Sequence, residues 1–226
     1  AIITERVMAK HLFRQYRRSD LLRRLLGHSR TDPVPEVMSR LGEALARFHR
    51  RSSGTALCDA DRILEKMHGY VLELRGYGVD SAYLDAIAPR LDGWKHLKLT
   101  SKRAVNLKGI DIRQIFVDGH NSLHLLDPGK MKHGCREVDL ARFLVTCRIL
   151  YWGSAAILLR LTPSRLYEES FLAAYVRENG ASERALGVLM VKELFKHWRM
   201  AHASLERRRW PRAYKALLKK VYVDPF

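Results

Sequence analysis

The sequence predicts an α+β protein that is mainly α, with one small β-hairpin. Three observations carry this. Apolar residues recur at helical spacing through most of the 226 residues. One stretch, "RQIFVDGHNSLHLLD", departs from that period and alternates short apolar runs around Asp118-Gly119-His120-Asn121. No internal repeat or low-complexity tract offers a competing architecture.

The elements follow in order. "AIITERV" is a short β-rich run, and a strand starting at the first residue is expected to continue something ahead of it. "RQYRRSDLLRRLLGHS" has helical spacing and ends in Gly-His-Ser, and "TDPVPE" is a break with two prolines. "VPEVMSRLGEALARFHRRS" is an amphipathic helix with Val37, Leu41, Leu45 and Phe48 on one face. Cys58 to about Leu74 reads as helix, closed by the glycines of "RGYGVD". The next helix starts at Ser81, capped by its hydroxyl, with a kink or break at Pro89. After the hairpin come "REVDLARFLVTCRIL", "SRLYEESFLAAYVREN", "SERALGVLMVKELFKHWRMAHASLERR" and "PRAYKALLKKVY", the last with Pro211 at a helix start.

Composition narrows the function classes. A chain this long buries roughly 70% of its unfolded surface and needs no disulfide staples. Cys58, Cys135 and Cys147 are odd in number and scattered, without metal spacing, so they read as reduced thiols in a cytosolic protein. "FLVTCRILYWGSAAILL", Phe143 to Leu159, approaches a membrane span in length. Arg148 inside it and Gly153-Ser154 across it favour a buried helix pair. His197 and His202 lack the spacing of a helical zinc pair. The net charge of +17 points to an anionic partner: nucleic acid, acidic lipid, or a phosphorylated substrate. Its basic residues fall in scattered helical clusters, which argues against nucleic acid.

One further pattern remains. "LHLLDPGK" delivers Asp127 from a strand end into a Pro-Gly turn, and "EVDLARFL" sets Asp139 between apolar neighbours on a helix. With "IITERV", "LGEALARFHR" and "LKGIDIRQIFVDG", these segments resemble, in order and spacing, the aminoglycoside phosphotransferase group and the related bacterial lipopolysaccharide kinases. The resemblance implies the helical large lobe of a protein-kinase-like fold. Residues 1–7 would be the strand and hinge left from a small lobe, and 8–226 the large lobe with a helical C-terminal extension. It implies ATP and Mg²⁺ as cofactors, with Glu5 and Val7 of the hinge on the nucleotide. It further implies Asp127 as metal ligand and Asp139 as a buried acid bonded to the catalytic-loop backbone. Each acid has a plain alternative: a turn-capping Asp for Asp127, an exposed partner of Arg136 or Arg142 for Asp139.

The loop departs from the family pattern. Aligned through "IFVDG", the family's His, catalytic Asp and metal-binding Asn fall on Leu107, Gly109 and Gln114. Gly109 has no side chain to act as a base, whereas Gln114 keeps an amide oxygen for the metal. Asp111, two residues on, reads either as a displaced catalytic carboxylate or as a solvated loop acid. The expected function is therefore phosphoryl transfer from ATP–Mg²⁺ to an anionic small molecule, glycan or lipid acceptor. The chain would be cytoplasmic, with peripheral contact to an acidic inner-membrane surface. The rival is an inactive kinase-like binding or scaffold module.

Overall fold

The computed structural model describes residues 9–26, 32–54, 58–94, 101–107, 110–126, 130–152 and 165–208. Seven helices and five short strands make up these residues: β1 (Ala9–His11), α1 (Leu12–Leu26), α2 (Val34–Ser52), α3 (Ala60–Gly76), α4 (Ser81–Gly93), β2 (Arg103–Asn106), β3 (Ile115–Asp118), β4 (Leu123–Leu125), β5 (Lys132–Cys135), α5 (Glu137–Trp152), α6 (Arg165–Asn179) and α7 (Glu183–Arg208). A 3-10 turn, Ile112–Gln114, precedes β3. The mainly α reading with one hairpin holds, and two strand pairings are added to it.

The hairpin is β3–β4, with Ile115 opposite Leu125 and Val117 opposite Leu123. Its turn is held by Asp118, whose carboxylate accepts from His120 N at 2.9 Å and Ser122 N at 2.8 Å. Asn121 takes the left-handed backbone, φ 59°, that Asn tolerates better than most residues. The His124 ring beside it, with these backbone N–H groups, brings the Asp118 carboxyl down to about 2. β1 adds antiparallel to β3, making a three-stranded sheet. β2 and β5 form a separate antiparallel ladder in which Arg103 faces Cys135 and Asn106 faces Lys132.

α2 is the central helix of the core. Val34, Val37, Met38, Leu41, Leu45 and Ala46 bury along one stripe, and His49 continues it. That stripe lies on α6, and the approach is close at Gly42. A Cβ there would meet Phe171 O at 2.3 Å, so only glycine lets the two backbones come this near. α7 packs against α5 and α3. Its Trp198, 2% exposed, is edge-on to Tyr83 of α4 at 5.8 Å. Trp198 and Tyr83 thus serve the core.

Three expectations change. The α4 cap is Asp80, whose carboxylate accepts from Ala82 N at 3.0 Å, so Ser81 is the first helical residue. α4 runs on through Pro89 to Gly93, so Pro89 does not break the helix, although it supplies no N–H to it. Cys58 and Cys135 are joined as a disulfide, leaving only Cys147 as a free thiol, buried in α5. Their pairing is long-range: Cys58 N donates to Ser101 O at the foot of β2, while Cys135 faces Arg103 across the ladder. Thiol titration of the unfolded chain without reductant is expected to find one free sulfhydryl, and with reductant three. Three in both conditions would return the pair to the reduced state.

No helix of the described residues is long and apolar enough to cross a membrane. Gly153-Ser154, the "PRAYKALLKKVY" segment and residues 1–7 lie outside the described residues.

Candidate active site

The segment from Leu107 to Gln114 links β2 to β3, and its apolar residues pin it to the core. Leu107, Ile110 and Ile112 are all buried. Two polar side chains of α5 hold its first residue. Leu107 N donates to Asp139 Oδ2 at 2.7 Å, and Leu107 O accepts from Arg142 Nη1 at 3.0 Å. Asp139 is fully buried. It is therefore the buried acid on the loop backbone, and its Oδ1 also lies 3.8 Å from Arg142.

Asp139 has a further partner, His49 of α2. His49 Nε2 is 3.1 Å from Asp139 Oδ2, and His49 Nδ1 is 2.8 Å from the Tyr175 hydroxyl of α6. An ionised carboxylate only accepts, so Nε2 carries the proton. Tyr175 accepts in turn from Asn179 Nδ2 at 3.2 Å. Burial raises the Tyr175 hydroxyl well above the ordinary tyrosine range, so it stays a neutral donor. The relay from α6 through α2 to α5 ends on the loop backbone and fixes where the loop starts. The sequence reading missed His49, although the signal was present: it stands four residues after Leu45 on the same stripe.

A second set of charges stands behind Arg142. Glu193 of α7, fully buried, lies 2.9 Å from Lys192 Nζ, 2.7 Å from Lys196 Nζ and 3.5 Å from Arg142 Nε. Burial alone would raise its carboxyl. Lys192, Lys196 and Arg142 outweigh that and hold it far below the usual carboxylate range. His197, one residue beyond Lys196, is half-buried and brought down to about 4, first by burial and then by Lys196. Glu137, at the head of α5, is buried and accepts from Ser101 Oγ, from Arg136 Nε at 3.2 Å and from Ser182 N at 3.1 Å. It ties the start of β2 to the α6–α7 turn.

The candidate residues themselves stand as follows. Asp111 is 8% exposed, so it is not a solvated loop acid. It caps the 3-10 turn, accepting from Arg113 N at 2.8 Å, and both its oxygens accept from the Arg113 side chain at 2.5 to 3.2 Å. A base role would need that pairing to open. Gln114 is half-buried, and its backbone oxygen accepts from Leu126 N at 2.9 Å. The hairpin register thus sets Gln114 against the residue before Asp127. Asp127 itself, Gly109, Glu5 and Val7 lie outside the described residues. Among the described residues, no group of three His, Cys, Asp or Glu side chains is placed to hold a metal ion.

With that geometry in view, the chain compares with known proteins as follows. The sequence matches no protein-family model and no curated protein. The fold does match solved structures. A glucosamine kinase aligns with a TM-score of 0.64 at 15% identity, over 88% of this chain and 57% of that one. The same enzyme in complex with glucosamine, ADP and inorganic phosphate gives 0.65 at 15%, over 91% and 56%. Choline kinase LicA from Streptococcus pneumoniae gives 0.51 at 12%, over 93% and 81%. The chain therefore spans little more than half the length of the glucosamine kinase it matches. The fold is an α+β kinase-like fold, shared with these structures.

Proposed function

We propose that this chain carries the helical lobe of an ATP- and Mg²⁺-dependent phosphotransferase acting on a small molecule, or on a glycan or lipid of the cell envelope. Its residues resemble the pattern of the aminoglycoside phosphotransferase and lipopolysaccharide kinase group. The observation that carries the reading is the hydrogen bond from Leu126 N to Gln114 O. It sets the amide residue of the loop beside the strand end that precedes Asp127. Two hard oxygen donors would be the protein share of an Mg²⁺–nucleotide site, where the phosphates and water supply the rest. Asp127 and Gln114 would hold the ion. When bound, Mg²⁺ neutralises charge on the transferring phosphoryl group.

The chain's own contribution is positioning. Asp139 and Arg142 fix Leu107, and with it the start of the loop that presents the acceptor. Glu5 and Val7 would meet the nucleotide from the hinge, with residues 1–7 joining this lobe to a smaller one. The protein would work in the cytoplasm, against the inner face of the membrane where its acceptor is lipid-borne. A second reading has a specific observation behind it. Gly109 stands where the family has its catalytic Asp, and Asp111 is engaged on both oxygens by Arg113. On that reading the chain keeps the nucleotide site and serves as a binding or scaffold module.

Calorimetric titration of the intact protein with Mg²⁺-ATP tests the first step. Asp127→Asn is expected to weaken binding about 10- to 100-fold, the worth of one charge-assisted contact, with folding nearly unchanged. No binding by the unmutated protein would remove the phosphotransferase reading. Binding without ATP turnover, across phosphorylated and amino-sugar acceptors, would favour the binding module.

A further inference from the structure

A dense group of cationic side chains converges at the β2–β5 ladder. A cavity of about 370 Å³ opens between the start of α3, the β2–β5 ladder and α7. Four separate elements send cations to it: Arg62 and Lys66 from α3, Arg103 from β2, Lys132 from β5 and Lys192 from α7. Its floor includes Ile63, Val138 and Leu189. The lining carboxylate, Asp59, is occupied as the α3 cap, accepting from Arg62 N at 3.0 Å. Lys192 is paired with Glu193. Among the described residues, Arg62, Lys66 and Lys132 have no carboxylate within ion-pair distance.

Such convergence carries a cost in the free protein. Partial burial, with Lys192, Arg62 and Lys132 close by, makes Lys66 give up its proton more readily than an ordinary lysine. An anion between these groups removes the repulsion, and the apolar floor keeps water from one side and strengthens the attraction. The volume falls within the range of small-molecule sites and exceeds what a bare ion needs.

We propose that this cavity binds a phosphate group, carried by a soluble phosphomonoester or by a lipid headgroup. The proposal concerns binding and does not require the chain to transfer phosphate. β2 runs directly into Leu107, so an occupant would sit against the strand that leads into the loop.

The test is titration of the intact protein with inorganic phosphate at constant ionic strength, without nucleotide. Saturable binding is expected, weakened about 10-fold or more in Lys66→Gln/Lys132→Gln. Both side chains are exposed, so the variant is expected to fold. With the repulsion relieved, its melting temperature without phosphate should equal or exceed that of the unmutated chain. Arg40→Gln/Arg47→Gln, removing two exposed cations of α2, is the charge-matched control and should bind phosphate normally. Co-sedimentation with phosphatidylcholine vesicles carrying phosphatidic acid separates the sources. Retention lost in the lysine variant alone assigns the phosphate to a lipid. Phosphate binding without such retention assigns it to a soluble ligand. Absence of saturable binding, or equal weakening by the control, overturns the site.

Discussion

Replacing Asp139 with alanine is expected to cost about 2–5 kcal/mol of folding stability, because two buried donors lose their acceptor at once and each unpaired group costs about 1–3 kcal/mol. The donors are Leu107 N at 2.7 Å and His49 Nε2 at 3.1 Å. Neither reaches water, since Asp139 and His49 are both fully buried. For a chain of this size the loss amounts to about 5–15 °C in melting temperature. Asp139→Asn should fall between, because its amide keeps one acceptor oxygen of similar shape. A double-mutant cycle with His49→Phe separates the partners. Strong coupling is expected, since His49→Phe removes one of the two stranded donors beforehand. Any nucleotide binding should weaken as well, because the start of the loop is no longer fixed. An unchanged melting temperature in Asp139→Ala would mean that water replaces the carboxylate as acceptor.

The same residues show where the sequence was legible. Asp139 between Val138 and Leu140 is an acid on an apolar helix, which left an exposed partner of Arg136 or Arg142 open; the resemblance implied the loop backbone, and the bond to Leu107 N agrees with it. The hairpin could be read because alternation and the Asp118 turn are local signals. β2 and β5 could not. Each has four residues, "KHGC" has no alternation, and their pairing is set by the chain returning from the hairpin. The Cys58–Cys135 link depends on that same ladder, so spacing alone could not show it. Asp111 looked free because its partner, Arg113, is two residues away, and the 3-10 turn that Asp111 caps and that brings the two together left no local signal.

The basic balance also divides once the contacts are known. Arg142, Arg148, Lys192 and Lys196 each pair with a buried carboxylate, so part of the cationic excess is structural. Arg148 meets Glu168 between α5 and α6 at 2.8 Å. Arg62, Lys66 and Lys132, which lack such a partner among the described residues, converge on the α3–β5 cavity. A count of charges cannot make this distinction, because it depends on which helices face each other.

Glu193→Gln should be nearly as damaging as the loss of Asp139, at about 3 kcal/mol near neutral pH, the lower end of what removing one partner of a buried ion pair costs. Glutamine fits the space and still accepts a hydrogen bond. It supplies no charge against Lys192, Lys196 and Arg142, which stand within 2.7 to 3.5 Å of the carboxylate. The pH dependence identifies the cause. Glu193 is held below its ordinary value when folded, so its contribution is complete above the unfolded carboxyl range. That contribution is lost progressively as pH falls below about 4.5. The gap between the two proteins should therefore narrow in acid. It should narrow on the alkaline side too. Lys196 is already lowered by burial, with Glu193 opposing that shift, and removing Glu193 lowers it further. A lysine lowered on folding binds fewer protons folded than unfolded, so stability rises with pH between its two values. The variant, with the wider interval, should recover part of its deficit as pH climbs toward about 10. Denaturant melts of both proteins across this range are the measurement. A deficit that stays constant from acid to alkali would trace the loss to packing and remove Glu193 as the counter-charge behind the loop.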